Sequence, residues 1–208
     1  MTTMQPARMQ PAHQPLQISD TARLEALNCL SEASREYLPT KRHAHRVAAL
    51  AVRIGWRTGL SAAQRDLLER ATPYHDLGKL GVPASLLSRA GPLEPHEFEI
   101  IKGHTVLGAA VLAGGDSELL HTASEIALNH HERWDGSGYP QGLRGTKIPL
   151  LARIVAVADV FDALTHERPY KPAWTLSSAL SYIGAQSGQH FDPAVVEAFL
   201  GLVMKTGG

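Results

Sequence analysis

The stretch PLLARIVAVADVFDAL, residues 149–164, decides the fold. From Leu150 to Leu164 the charged side chains are Arg153, Asp159 and Asp162, and apolar residues otherwise occupy the whole circumference of a helical wheel. A helix of that kind belongs in the middle of a domain, surrounded by other helices. Pro149 is placed to start it, since a proline in the first turn removes no hydrogen bond the helix needs. Asp159 then poses a physical problem, because an ionised carboxylate inside an apolar helix is costly without a cation or a strong donor beside it. Arg153 lies six residues away, on a different part of the helix. A metal ion is the better partner.

Outward from this helix the periodicity is helical throughout, and no alternating strand pattern competes with it. Val47, Leu50, Ala51 and Ile54 form one stripe; Ser61 and Gln64 make a capping box ahead of Leu67, Leu68 and Ala71; Asp192 followed by Pro193 opens the last helix. Helices are expected near 20–37, 41–58, 61–74, 95–113, 117–131, 175–186 and 192–204, giving an all-α bundle. Residues 1–18, rich in Met, Gln, Pro and Thr without apolar periodicity, read as a flexible tail, and residues 19–208 as a single domain.

Composition narrows the function. The 20 Lys and Arg balance 20 Asp and Glu, so the formal net charge is zero, which argues against a nucleic acid polymer as the main partner. Cys29 is the single cysteine, so no internal disulfide forms and a reducing compartment fits. No apolar run reaches the length of a membrane span, and the polar N-terminus lacks the apolar core of a signal peptide. These features predict a cytoplasmic protein with no membrane partner.

The 11 histidines are many for this length, and their positions matter more than the number. HHERWDGSGYP, residues 130–140, offers two adjacent imidazoles at the end of a predicted helix. The loop behind them crowds Arg133, Trp134, Asp135 and Tyr139 among Gly136, Gly138 and Pro140, and the glycines are expected to take backbone conformations closed to other residues. His75 and Asp76 follow a helix that Pro73 disturbs. Such a pair can bind one cation together, while the second aspartate oxygen reaches another; it also fits a capped helix end. His104 falls on an apolar face with Ile101, Leu107 and Val111, where a lone histidine is as readily a hydrogen-bonded core residue. His43 and His45 point to nearly opposite faces of one helix, and the stripe through Val47 and Leu50 selects His43 as the inward one.

Taken together, His43 followed by Arg46-Val47, then YHDLGKLGVP (74–83), KGHT (102–105), HHERWDGSGYPQGL (130–143) and RIVAVADVFDALTHERPYKPAW (153–174) resemble the HD-GYP domain family over roughly residues 40–203. The resemblance implies an HD-superfamily helical bundle with a GYP-containing loop beside a metal site. The implied activity is that of a metal-dependent phosphodiesterase acting on cyclic di-GMP, with linear pGpG or GMP as product. Residue by residue, it makes His43, His75, Asp76 and Asp159 ligands of one metal, and Asp76 the bridge to a second held by His104, His130 and His131. Lys79, Arg168 and Lys171 match positions that meet phosphate, and Tyr139 matches the loop that borders the guanine site. His166 and His190 match no metal position, and His121 reads as an exposed helix residue.

One departure stands out. Members with a third metal carry a glutamate four residues before the first histidine, where this chain has Pro39, and Pro39 should also break any helix that could aim Glu36 inward. A two-metal site is therefore expected, in which the metals activate a bridging hydroxide for attack on phosphorus, with Asp76 and Lys79 closest to the chemistry. Five histidines and two carboxylates suit first-row transition metals; the family implies iron or manganese, and zinc, nickel or copper compete at such N-rich sites. The alternatives are a metal-loaded cyclic dinucleotide receptor and a module docking GGDEF diguanylate cyclases through the GYP loop. An HD-type nucleotidase or alarmone hydrolase shares the His-Asp core but leaves the GYP loop without a purpose.

Overall fold

The computed structural model describes residues 19–33, 41–89, 91–114, 117–167 and 172–203. Among them the regular elements are all helices: α1 (Asp20–Ala33), α2 (Lys41–Arg57), α3 (Ala62–Ala71), a short α4 (Ala84–Leu87), α5 (Pro95–Leu112), α6 (Glu118–Asn129), α7 (Leu150–Thr165), α8 (Leu176–Ala185) and α9 (Pro193–Val203). No described helix is long and apolar enough to cross a membrane. The expected tail, together with Glu36, Pro39, Arg168 and Lys171, lies outside the described residues.

Helix α7 is the central element that its composition demands. Ile154, Val155, Val157 and Ala158 are fully buried, and α2, α6, α8 and α9 pack around it. Val47, Ala51 and Ile54 from α2 meet this core with no exposed surface, as the stripe predicts. Arg153 reaches away from Asp159 to Asp192 and to the carbonyl oxygen of Ile148, so it neutralises a carboxylate at the start of α9 and not the one in its own helix. That leaves Asp159 to the histidines.

Two expectations about helix ends are corrected. The helix expected over 61–74 ends at Ala71 and continues as a 3-10 turn, Thr72–Tyr74, because Pro73 has no N–H for the α ladder; its N-terminal capping box is present as read, Ser61 with Gln64. The helix expected over 117–131 stops at Asn129, with His130 as its cap and His131 beyond it. A second 3-10 turn, Leu77–Gly81, follows the His75-Asp76 pair and lies directly against α5. A side chain at Gly78 is impossible there, since its Cβ would fall 1.9 Å from the carbonyl oxygen of His104.

The inward face of α5 also differs from the one predicted. His104 is buried, but with Thr105, Gly108, Ala109 and Leu112, whereas Leu107 and Val111 are exposed. Small residues at 108 and 109 permit the close contacts with Gly78 and α6, so van der Waals approach and not side-chain hydrophobicity selects the buried face.

Candidate metal centre

Five separate segments aim side chains at one point. Helix α2 supplies His43, the turn between α3 and α4 supplies His75 and Asp76, α5 supplies His104, the end of α6 supplies His130 and His131, and α7 supplies Asp159. Their ligand atoms fall into two groups joined by one carboxylate. One oxygen or nitrogen from each of Asp76, His104, His130 and His131 lies within 4.8 Å of the others, and the same holds for His43, His75 and Asp76. Asp159 adjoins the second group, its Oδ1 3.2 Å from His43 Nε2 and 3.9 Å from His75 Nε2. Asp76 Oδ1 is 3.4 Å from His104 Nε2 and 3.7 Å from His130 Nε2, and its Oδ2 is 3.4 Å from His75 Nε2.

The hydrogen bonds around the rings fix which nitrogen faces inward. His75 Nδ1 donates to the carbonyl oxygen of Thr72 (2.9 Å), His104 Nδ1 to Ile101 (2.6 Å) and His130 Nδ1 to Ala127 (3.0 Å), each three residues back. His43 Nδ1 donates to Asp162 Oδ2 at 2.6 Å. A histidine whose Nδ1–H is engaged presents Nε2 as a lone pair, which is how metal-ligating histidines are oriented. The Nε2 atoms of His43, His75, His104 and His130, and Asp76 Oδ1, are all buried without a hydrogen-bond partner. Several unpartnered acceptors converging in one interior call for a cation, since burial without one is expensive. The nitrogen-rich donor set fits a transition metal better than magnesium or calcium, which favour oxygen ligands.

The acid–base balance of the cluster divides in the same way. Burial pushes His104 down to about 4, with the neighbouring His130 adding to the effect, and burial likewise holds His131 well below its usual value. Burial also opposes a charged His43, but the carboxylates of Asp159 and Asp162 outweigh it and raise that ring to about 9. His75 moves up for the same reason, burial being overcome by Asp76. Asp76 stays well below the carboxylate range despite its burial, because Lys79 and His75 face it. The rise at His43 and His75 shows that the carboxylates make this side of the cluster favourable for positive charge.

Two supporting residues escaped the sequence reading. Asp162, one turn from Asp159, accepts from His43 and forms a two-pronged pair with Arg46, at 2.6 Å from Nε and 2.8 Å from the terminal nitrogen. The signal was available: it is the second carboxylate in the same apolar helix, and the cost argued for Asp159 applies to it as well. Glu132 is buried and accepts from the backbone N–H groups of Gln141 (2.7 Å) and Leu143 (3.0 Å), which ties the loop back onto the end of α6. Nothing in its local sequence singled it out.

The remaining residues are placed as follows. Lys79 donates to Asp76 Oδ2 at 2.5 Å, at the edge of the cluster. Tyr139 stacks on His131 with ring centroids 4.9 Å apart, and burial together with Asp76 and Asp159 raises its hydroxyl above its ordinary value. Gly136 has the positive φ expected of it, +83°, but Gly138 does not; it is required by close approach, since a Cβ there would lie 2.3 Å from the Arg133 nitrogen. His45 and His121 are exposed, and His166 lies 3.2 Å from Asp162 on the outer side of the pair.

A helical bundle closing over imidazoles and carboxylates from five segments forms a buried His-Asp cluster that could hold metal. Residues 28–195 match the sequence profile of the HD domain, and the chain belongs to that family. It is 48% identical over 179 residues to a cyclic di-GMP phosphodiesterase of Thermotoga maritima, covering 86% of this chain and 48% of that protein. It is also 43% identical over 189 residues to the cyclic di-GMP phosphodiesterase response regulator RpfG of Xanthomonas campestris, covering 85% and 50%. The chain therefore spans about half the length of these relatives. Among solved structures, a cyclic GMP-AMP specific phosphodiesterase of V. cholerae superposes with a TM-score of 0.61 at 22% identity, over 88% of this chain and 48% of that one, a likeness of fold.

Proposed function

We propose that the domain is a metal-dependent phosphodiesterase of the HD-GYP branch, hydrolysing the 3′-5′ bonds of cyclic di-GMP to pGpG or GMP. The observation that carries this is the buried set of unpartnered Nε2 atoms around the shared carboxylate of Asp76. Two divalent transition ions, iron or manganese in the cell, fit the two groups: His43, His75, Asp76 and Asp159 hold one, and Asp76, His104, His130 and His131 the other. Bound there, such ions polarise a phosphodiester and bring the pKa of an attacking water near neutrality.

The residues of the chain do the rest. Asp76 joins the two groups, so its loss affects both. Lys79 donates to Asp76 at the edge of the cluster, and with metal held there its ammonium would offer a phosphoryl oxygen a charge-assisted hydrogen bond that stabilises charge on the phosphate. Tyr139, braced by His131 and by the buried Glu132 anchor of its loop, forms a fixed wall beside the site. Arg168 and Lys171 are assigned to phosphate from the motif. The expected docking of a GGDEF diguanylate cyclase gains no support from the geometry or the relatives and forms no part of the proposal.

The test is product chromatography on protein loaded anaerobically with iron or manganese, with affinity for cyclic di-GMP measured beside it. Appearance of pGpG or GMP that stops when the metal is chelated is the expected result. Tight binding without turnover makes the domain a receptor, and the absence of both binding and turnover overturns the reading.

A further inference from the structure

The N-terminal part of α5 carries an aromatic residue and a cation that the metal chemistry leaves unused. Phe98, Lys102, Thr105 and Ala109 follow one another along one side of the helix, and Thr105 and Ala109 are buried, so this side faces the protein. Phe98 is nonetheless 43% exposed. It is not part of the outward apolar face of α5, where Ile100, Leu107 and Val111 lie. Its ring meets Tyr139 edge-on at 6.2 Å, and Tyr139 stacks on His131, so an open aromatic surface stands two rings from the metal cluster.

Lys102 closes the arrangement. Its ammonium lies 4.9 Å from the Phe98 ring centroid and 5.6 Å from that of Tyr139, a position that cation–π attraction favours. Its hydrogen-bond partner is Glu99 at 2.7 Å, a residue whose side chain is 68% exposed. The Lys102 side chain is 28% exposed, so the pair lies at the edge of the surface, where the exposed carboxylate can turn to water and release the lysine at modest cost. An ammonium has three donors and no acceptor, so donors remain for a ligand.

We propose that Phe98 and Lys102 form a purine subsite that selects guanine: a base stacks on Phe98, and Lys102 donates to its O6 and N7 edge. Guanine presents two acceptors on that edge, whereas adenine presents N7 beside an amino donor, which an ammonium cannot accept from. The inference rests on the reading of the site as one for a cyclic dinucleotide, and it adds the residues that choose the base. Phe98 supplies affinity for either purine, since every base has a stackable face. Lys102 supplies the difference between them.

The experiment compares wild-type protein with Lys102→Met, Lys102→Arg, Phe98→Ala and Phe98→Tyr. Equilibrium affinity is measured for hydrolysis-resistant phosphorothioate analogues of cyclic di-GMP and cyclic di-AMP. Metal content and hydrolysis of methyl p-nitrophenyl phosphate, a diester with no base, are followed as controls. Lys102→Met should shrink the guanine preference by about tenfold, with Lys102→Arg preserving it. Phe98→Ala should weaken both analogues by roughly tenfold to a hundredfold, with Phe98→Tyr close to wild type. Both controls should stay unchanged. An unaltered guanine preference in Lys102→Met, or unaltered affinities in Phe98→Ala, overturns the proposal. Wild-type protein that binds with this preference and hydrolyses neither dinucleotide supports the subsite while refuting the phosphodiesterase reading.

Discussion

Replacing Asp162 with asparagine keeps the shape of a buried side chain and removes its charge. The carboxylate holds three charged or chargeable donors, His43 Nδ1 at 2.6 Å and two nitrogens of Arg46 at 2.6 and 2.8 Å. Asparagine has one acceptor oxygen, and its amide hydrogens would face donors. Arg46 is 38% exposed in its side chain and turns to water at little cost, whereas His43 is 7% exposed and has nowhere to turn. The loss therefore falls on the orientation and basicity of His43. A charge-assisted hydrogen bond is worth about 1.5–3 kcal/mol, and partners of metal-bound histidines typically govern roughly tenfold to a hundredfold in metal affinity. A second effect opposes it. The carboxylates keep a proton on His43 up to about pH 9, and metal must displace that proton, so weakening the carboxylate side also weakens the competitor. The deficit of Asp162→Asn should thus be smallest near neutral pH and grow as pH rises past about 9, where His43 is already neutral in the wild type. Chelator-competition titrations across that range read it directly. An affinity equal to wild type at the alkaline end would remove Asp162 from the support of the site.

Three further outcomes are expected. Asp76→Ala should leave the purified protein with neither group of ligands occupied and no turnover, because both groups share that carboxylate; elemental analysis showing full occupancy refutes the bridge. Gly78→Ala should displace α5 and with it His104, since the added Cβ would sit 1.9 Å from the His104 carbonyl, and should cost stability and metal together; a melting temperature and metal content equal to wild type would show that the close approach is not essential. The metal-free protein should be most stable near the ordinary histidine pKa. Above it, stability that a protonated His43 contributes, on the order of 3 kcal/mol, disappears as pH climbs towards about 9; below it, His104, neutral down to about 4, must be charged on unfolding, which favours the unfolded chain. Denaturant titrations with and without metal check this, and the alkaline decline should vanish with metal bound.

The parts of the site that could be read from sequence are those where a single residue breaks a strong local rule. Asp159 in an apolar helix and His43 on an inward stripe are of that kind, and both reach the cluster. Gly138 and the buried face of α5 were misjudged because the rule used was local. Glycine suggested an unusual φ, and large apolar residues suggested burial, whereas the close approach of loop and helix backbones decided both. Such approaches join residues far apart in the chain, and no periodicity encodes them.

Asp162 shows a different limit. Its cost was visible, but its partner was not, since His43 and Arg46 lie 119 and 116 residues away. The same holds for the backbone carbonyls that orient His75, His104 and His130: each is three residues back along the chain, in a tightened turn for His75, at a helix end for His130 and within α5 for His104. A sequence can thus announce which imidazoles are candidates long before it shows which nitrogen of each is presented. The choice of nitrogen turns a cluster of histidines into a metal site, because an imidazole with Nδ1–H engaged has its lone pair on Nε2. In this chain the carbonyls of Thr72, Ile101 and Ala127 and the carboxylate of Asp162 make that choice four times, and all four Nε2 atoms converge on the same interior. The metal readings drawn from the motifs therefore stand or fall on these outer contacts as much as on the ligands themselves.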